Sequence, residues 1–316
     1  MSATRQKAIT AGKKAIQKTK KTVFWILKII LPISFLVSFL QFWGVIDYLS
    51  TLLTPFFILI GLPGEAAIVF ISSIFLPLYA PIAIIATLNL PLREITLLAL
   101  MCLISHNLLV ETAVQRKTGT SAAFIVVLRI TASFLAAFIL NHLLPAEMDS
   151  KIAVTTTVSS VTTVADVLLN WAKMALTISI KIIVIITALM FIQSFLKEFN
   201  WIDKLKKPFA PVMKFMGLSP DVSLLWIIAQ IAGLTYGSAL ILEEMEGKSL
   251  QQREVNLLNY HIALNHSLLE DTFLFVAIGV PILWLIIPRL ILAMIVVWTA
   301  RQIDALKKRL PQTKQP

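Results

Sequence analysis

The chain has 316 residues, of which 58% are hydrophobic and only 14% charged, with a mean hydropathy of +0.84. That is too little charge to cover a soluble protein of this size, so the composition excludes a water-soluble globule and implies an integral membrane protein. The net charge of +11 is gathered toward the two ends rather than spread as a nucleic-acid footprint, and one cysteine, Cys102, excludes an intramolecular disulfide framework.

Residues 1–22 hold seven Lys or Arg and no acid, which predicts a basic cytoplasmic segment able to lie on the membrane as an amphipathic helix. No A-x-A-like cleavage site follows the first apolar run, so Val23–Phe42 is expected to stay as the first transmembrane helix. Trp43–Gly61 is moderately apolar and contains Pro55, which suits an interfacial helix. Glu65–Leu88 follows, interrupted by Leu76-Pro77-Leu78-Tyr79-Ala80-Pro81. Arg93-Glu94 then opens a helix leading into Ser105-His106-Asn107-Leu108-Leu109-Val110-Glu111-Thr112, and an apolar segment with Arg129 closes this half. Ala122–Leu140, Ile178–Leu196 and Leu274–Val297 are further runs near the roughly 20 residues that cross a bilayer as helix.

The second half repeats this order. At a shift of 156, Ile46-Asp47 matches Ile202-Asp203, Pro55 matches Pro211, and Gly61-Leu62 matches Gly217-Leu218. At a shift of 160, the His motif returns as Asn265-His266-Ser267-Leu268-Leu269-Glu270-Asp271-Thr272, Arg93-Glu94 as Arg253-Glu254, Gly119 as Gly279, and Arg129 as Arg289. The expected organisation is a basic segment (1–22), a first repeat (23–144), a polar Thr-rich linker with a helical end (145–171), a second repeat (172–300) and a basic tail (301–316).

Charge sets the expected orientation. Trp43–Gly61 has no Lys or Arg, whereas Lys197–Lys214 has five, so these equivalent segments should face opposite sides of the membrane. Both basic termini should be cytoplasmic, which requires each half to cross an odd number of times. Of the four apolar segments in a half, one must then enter and leave by the same face. The second is the first choice, because Pro77-x-x-x-Pro81 in one copy and Gly233–Gly237 in the other interrupt it at the same place. The His-motif segment is the alternative. Broken helices at matching positions of inverted halves point to a transporter binding site.

Polar groups in such apolar surroundings are candidates for function. If the motifs are helical, His266 and Glu270, Ser267 and Asp271, and Asn107 and Glu111 share faces at i, i+4. His106, Glu111, His266 and Asp271 are the candidate ligands for a substrate or coupling ion, with Asn107, Thr112, Asn265, Ser267, Glu270 and Thr272 beside them. Tyr79, Thr235 and Tyr236 in the broken segments are weaker candidates. Arg129 and Arg289 need a carboxylate or the interface, and Glu111 and Asp271 are their expected partners. A brace of that kind would remove the acids from the ligand set. No P-loop, G-x-S-x-G, H-E-x-x-H or paired-cysteine motif occurs, so neither an enzyme nor a cofactor is expected.

The two His motifs, with Gly61-Leu62-Pro63-Gly64-Glu65, resemble the membrane "gate" or nucleoside-recognition family over residues 23–142 and 172–298. Relatives of that family include concentrative nucleoside carriers, the membrane part of the ferrous iron transporter FeoB, and the spore maturation proteins. The resemblance implies paired broken helices around a central polar site. Taken together, the sequence predicts an all-α polytopic protein of the plasma (inner) membrane, with two inverted repeats containing broken or re-entrant helices. Its expected role is passive or ion-coupled transport of a small solute or cation, with the lipid bilayer, and a second copy in a homo-oligomer, as partners. The alternative is a non-transporting scaffold or accessory subunit of a larger membrane complex.

Overall fold

The computed structural model describes residues 3–309 except 89, 146, 147, 149–162, 235–240, 243 and 246–249. Among these residues the regular elements are helices: α1 (Ala3–Phe42), α2 (Val45–Phe57), α3 (Ala66–Phe75), α4 (Tyr79–Thr87), α5 (Leu92–Ser105), α6 (Leu108–Lys117) and α7 (Ala122–Leu143) in the first half. The second half gives α8 (Val164–Glu198), α9 (Trp201–Phe215), α10 (Ser223–Ala232), α11 (Gln252–Leu264), α12 (Glu270–Val276) and α13 (Ile282–Arg309). Five stretches are long and apolar enough to cross a bilayer: Thr4–Phe42, Leu92–Lys117, Ala122–Leu143, Val164–Leu196 and Ile282–Lys307. Large apolar side chains such as Phe24, Leu36, Leu143, Val184 and Ile295 are exposed along four of them, as a lipid-facing surface requires. Leu92–Lys117 differs. Its apolar window is 72% buried, which makes it the central span.

The basic residues 3–22 run without a break into the first apolar run, because nothing between Arg5 and Phe24 caps or interrupts a helix. Helix α8 starts at a capping box. The Thr163 hydroxyl accepts from the Asp166 amide, and the Asp166 carboxylate accepts from the Thr163 amide. The last eight residues of the expected linker are thus the first turns of α8, and Thr155–Ser160 lies outside the described residues. The expected run Leu274–Val297 is not one helix. It divides between α12 and α13 at Gly279, which has φ 99°, and at Pro281, which cannot continue a helical ladder.

Helix α3 ends because Leu76 precedes Pro77 and is forced into extended geometry, φ −124° and ψ 158°. Pro81 falls in the first turn of α4, where no intrahelical donor is lost. At about 15 Å each, α3 and α4 are half the length needed to cross, and they pack against one another. In the second half α10 stops at the equivalent position, Gly233, with φ 87°. So the second segment is interrupted in both halves, as the sequence predicts.

Local geometry recurs between the halves. Gly44 and Asn200 are left-handed N-caps of α2 and α9, and Gly61 and Gly217 are left-handed residues closing the next turn. Helices α1 and α8, which are equivalent, pack along each other; α5 packs on α7 as α11 packs on α13.

A Cβ on Gly217 would approach Val297 Cγ1 to 3.0 Å, whereas one on Gly44 would meet nothing within 4 Å. Both residues have φ above 70°. Gly44→Ala is expected to cost about 1 kcal/mol, the left-handed penalty alone, and Gly217→Ala clearly more. Thermal unfolding of the two variants in detergent checks this. Equal midpoints would show that the turn at Gly217 gives way.

Candidate functional site

The site is built on a second pair of breaks, at the two His motifs. Helix α5 ends at Ser105; His106 is extended (ψ 153°) and Asn107 is left-handed (φ 49°) before α6 begins. Asparagine is among the few non-glycine residues that tolerate this region. In the other half α11 ends at Leu264, Ser267 is left-handed (φ 48°), and α12 begins at Glu270. The freed amides find equivalent partners: Asn107 N–H donates to the Ser73 carbonyl at 2.7 Å, and Ser267 N–H to the Ala229 carbonyl at 3.1 Å. The two interrupted segments of each half therefore meet backbone to backbone. The sequence offers either segment as the re-entrant one, and both prove to be broken, in different ways. Helices α5 and α6 remain joined end to end in one apolar span, while α3 folds back on α4.

These breaks overturn the expected i, i+4 faces. His266 lies in the break rather than on a helix with Glu270, and Asn107 and Ser267 serve through their backbone. The imidazoles instead turn inward. His106 Nδ1 lies 3.1 Å from the Cys102 carbonyl and His266 Nδ1 lies 2.8 Å from the Ile262 carbonyl, each four residues back. A carbonyl can only accept, so Nδ1 donates in both rings and Nε2 faces the centre.

There the two halves converge. His106 Nε2 is 3.2 Å from Glu111 Oε1 and 3.4 Å from Asp271 Oδ2; His266 Nε2 is 3.3 Å and 3.9 Å from the same two atoms. The ring centroids are 5.1 Å apart. Three ligand-type groups, His106, His266 and Asp271, have donor atoms within 4.8 Å of one another. Beside them Tyr79 Oη donates to Glu270 Oε1 at 3.2 Å, joining the halves again.

Behind this cluster stand two arginines with no exposed surface. Arg129 donates Nε to the Ile104 carbonyl at 2.6 Å and Nη2 to the His106 carbonyl at 2.8 Å, and its Nη1 pairs with Glu111 Oε2 at 2.7 Å. It thereby caps the carbonyls that the break leaves at the end of α5. The brace does not withdraw Glu111 from the site, because a carboxylate has two oxygens and Oε1 still faces both rings. Arg289 is not a copy of this arrangement. It donates to Thr272 Oγ1 at 2.5 Å and reaches the His266 carbonyl at 3.5 Å. The equivalent hydroxyl, Thr112 Oγ1, is buried without a hydrogen-bond partner among the described residues.

Asn265 is also fully buried. Its carbonyl accepts from Gln230 Nε2 at 2.6 Å, and its side-chain amide atoms have no partner among the described residues. Thr235 and Tyr236 lie outside the described residues. Among the buried polar groups not singled out by the sequence are Gln230, His261 and Asn259. His261 accepts from Trp226 Nε1 at 3.1 Å, and Asn259 donates to Thr118 and Thr120 of the other half at 2.6 and 2.7 Å. Each is present in one half only, since the equivalent residues of the first half are the apolar Ile74, Met101 and Ala99. Repetition, the signal that exposes the others, is silent here.

A polytopic helical membrane protein with two matching sets of broken helices around a buried His–carboxylate cluster is the class that fold and site define. Residues 23–140 match the family model described as Gate, nucleoside recognition. The chain is also 29% identical over 279 residues to the uncharacterized membrane protein YvoD of Bacillus subtilis (strain 168), covering 87% of this chain and 89% of that one. That likeness extends through the second half.

Removing the Arg129 guanidinium leaves Glu111 and two carbonyls without their donors. Arg129→Met is expected to destabilise the protein by about 3–5 kcal/mol, and adding Glu111→Gln to recover part of that loss. Unfolding of the two single variants and the double variant in one detergent checks the coupling. Strict additivity would mean the 2.7 Å pair contributes nothing.

Proposed function

We propose that the chain is a membrane transporter or permease for a small solute or ion, passive or ion-coupled, built from two inverted repeats. The observation that carries this reading is the meeting of both His-motif breaks at one buried cluster containing groups from both halves. Non-helical backbone at membrane depth persists where it faces protein or a polar cavity, and paired broken helices are how transporters expose backbone and side chains to a solute. In this reading α3 and α4, each too short to cross, form the re-entrant element of the first half. Each half then crosses three times, and the basic termini share the cytoplasmic side. His106, His266, Glu111 and Asp271 handle the substrate or its coupling ion.

One set of contacts favours the second reading, a scaffold or accessory subunit. Gln115 donates to the Asn259 carbonyl at 2.9 Å, Thr120 to Asn256 at 2.8 Å and Gln252 to the Thr118 carbonyl at 3.0 Å, all between the halves. Such a seam locks helices together whether or not anything is transported.

Uptake into proteoliposomes separates the two. The panel holds nucleosides, for which the family is described, nucleobases and divalent cations. Asp271→Asn is expected to reduce uptake at least tenfold while the protein stays folded, and the exposed Asp221→Asn to leave it unchanged. Lost stability without any uptake in the wild type supports the scaffold.

Topology has its own test. Leu59 and Phe215 are equivalent and both exposed, and native Cys102 is buried. Cysteines placed at 59 and 215 are expected to react with a membrane-impermeant maleimide from opposite faces of the membrane. Labelling of both from the same face would rule out inverted halves.

A further inference from the structure

We propose that His106, His266 and Asp271 form a binding site for one first-row divalent transition-metal ion of the Zn²⁺, Fe²⁺ or Co²⁺ kind, with Glu111 flanking it. The consequence, that this ion is the cargo or coupling ion, rests on the transport reading above; the site itself does not.

Four features converge on it. First, the atoms that meet are all of ligand type. With each Nδ1 donating to a carbonyl, the neutral ring offers only a lone pair at Nε2, and Glu111 Oε1 and Asp271 Oδ2 are acceptors as well. A cluster of acceptors without a donor between them calls for a positive charge at its centre, a proton or a metal ion. Second, the spacing suits a small metal ion. Ligands held tetrahedrally at about 2.0–2.1 Å from a metal lie about 3.3 Å apart. Asp271 Oδ2 is 3.4 and 3.9 Å from the two Nε2 atoms, and Glu111 Oε1 is 3.2 and 3.3 Å from them.

Third, the rings are already oriented as metal-ligating histidines are, by a hydrogen bond from the other nitrogen to a backbone carbonyl. Both rings use the same device, on carbonyls four residues back. Fourth, His266 Nε2 is buried and is aimed at the carboxylate oxygens of Glu111 and Asp271, which like its own lone pair only accept.

The donor set also selects the class of ion. Two imidazoles and a carboxylate suit Zn²⁺, Fe²⁺ or Co²⁺ better than Mg²⁺ or Ca²⁺, which prefer all-oxygen shells, or Cu⁺, which prefers sulfur. Three protein ligands leave a coordination position open, as in exchangeable rather than structural sites. Arg129 already pairs directly with Glu111, so Asp271 is the carboxylate of the ligand set without a direct arginine ion pair among the described residues.

The test is titration of the full-length, chelator-treated protein in detergent with Co²⁺, followed by visible absorption, with Zn²⁺ as competitor. One Co²⁺ per chain is expected, with absorption of a low-coordinate nitrogen and oxygen site that Zn²⁺ abolishes. His106→Gln, His266→Gln and Asp271→Asn should each weaken Co²⁺ binding at least tenfold, and Asp221→Asn should not. Thermal unfolding without metal shows which variants are folded; if the His variants are not, Asp271→Asn, which preserves side-chain shape, decides. Absence of saturable Co²⁺ binding, or binding that folded variants leave unchanged, overturns the site. Proteoliposome uptake keeps the two proposals apart. Metal binding with no uptake of anything sinks transport and leaves the site, whereas nucleoside uptake without metal binding does the reverse.

Discussion

Everything at the centre of this protein depends on how a helix can stop inside a hydrocarbon layer. A break there exposes carbonyls and amides that lipid cannot satisfy, each worth several kcal/mol if left bare. Arg129 answers for the carbonyls: one guanidinium spans those of Ile104 and His106 while holding Glu111. Ser73 answers for the amide of Asn107. A lysine would not replace this arginine, because its single ammonium has no fixed fork with which to reach three partners in one plane. The break, the buried cation and the carboxylate are thus one structural unit. Removing any of them changes what the others must do.

The second half solves the same problem with a variation. Ala229 takes the place of Ser73 and Ser267 that of Asn107, since both pairs require only backbone atoms and a tolerated left-handed residue. Arg289, however, holds Thr272 where Arg129 holds Glu111. The repeat supplies identical parts, Arg, Thr and a carboxylate, and the two halves connect them differently. The cluster is symmetric in composition and asymmetric in pairing: one acid is held from behind by a direct ion pair, and the other meets the histidines without such a brace.

Much of this was legible in the sequence. Self-similarity revealed the two halves, and the cost of polar groups in apolar runs singled out His106, His266, Glu111, Asp271 and both arginines. Pro77 and Gly233 marked the first pair of breaks because proline and glycine act through local backbone geometry, which a sequence displays. The second pair was offered only as the alternative re-entrant segment, without a residue to mark where it breaks. Nothing in His106-Asn107 or His266-Ser267 forbids a helix; those helices stop because carbonyls from another segment and arginines from a later one compete for their backbone. That is tertiary information, so the helical i, i+4 faces drawn from the sequence failed at these residues. The division at Gly279-Val280-Pro281 was different. Its two breakers were visible, but the apolar run on either side outweighed them.

The position of the acids follows from the breaks. Glu111 and Asp271 each fall in the first turn of the helix that starts beyond the interruption, α6 and α12. Unpaired amides there carry partial positive charge, which favours a carboxylate in that turn. The histidines fall just before, at the end of α5 and α11, where the chain has left the helical path and the ring is free to swing toward the axis. A straight helix would place His106 and Glu111 five residues apart, on faces separated by well over a right angle. The left-handed residue between them removes that separation. Breaking the helix is therefore what brings imidazole and carboxylate together, and doing so in both halves brings together four groups that no pair of unbroken helices would present to one point.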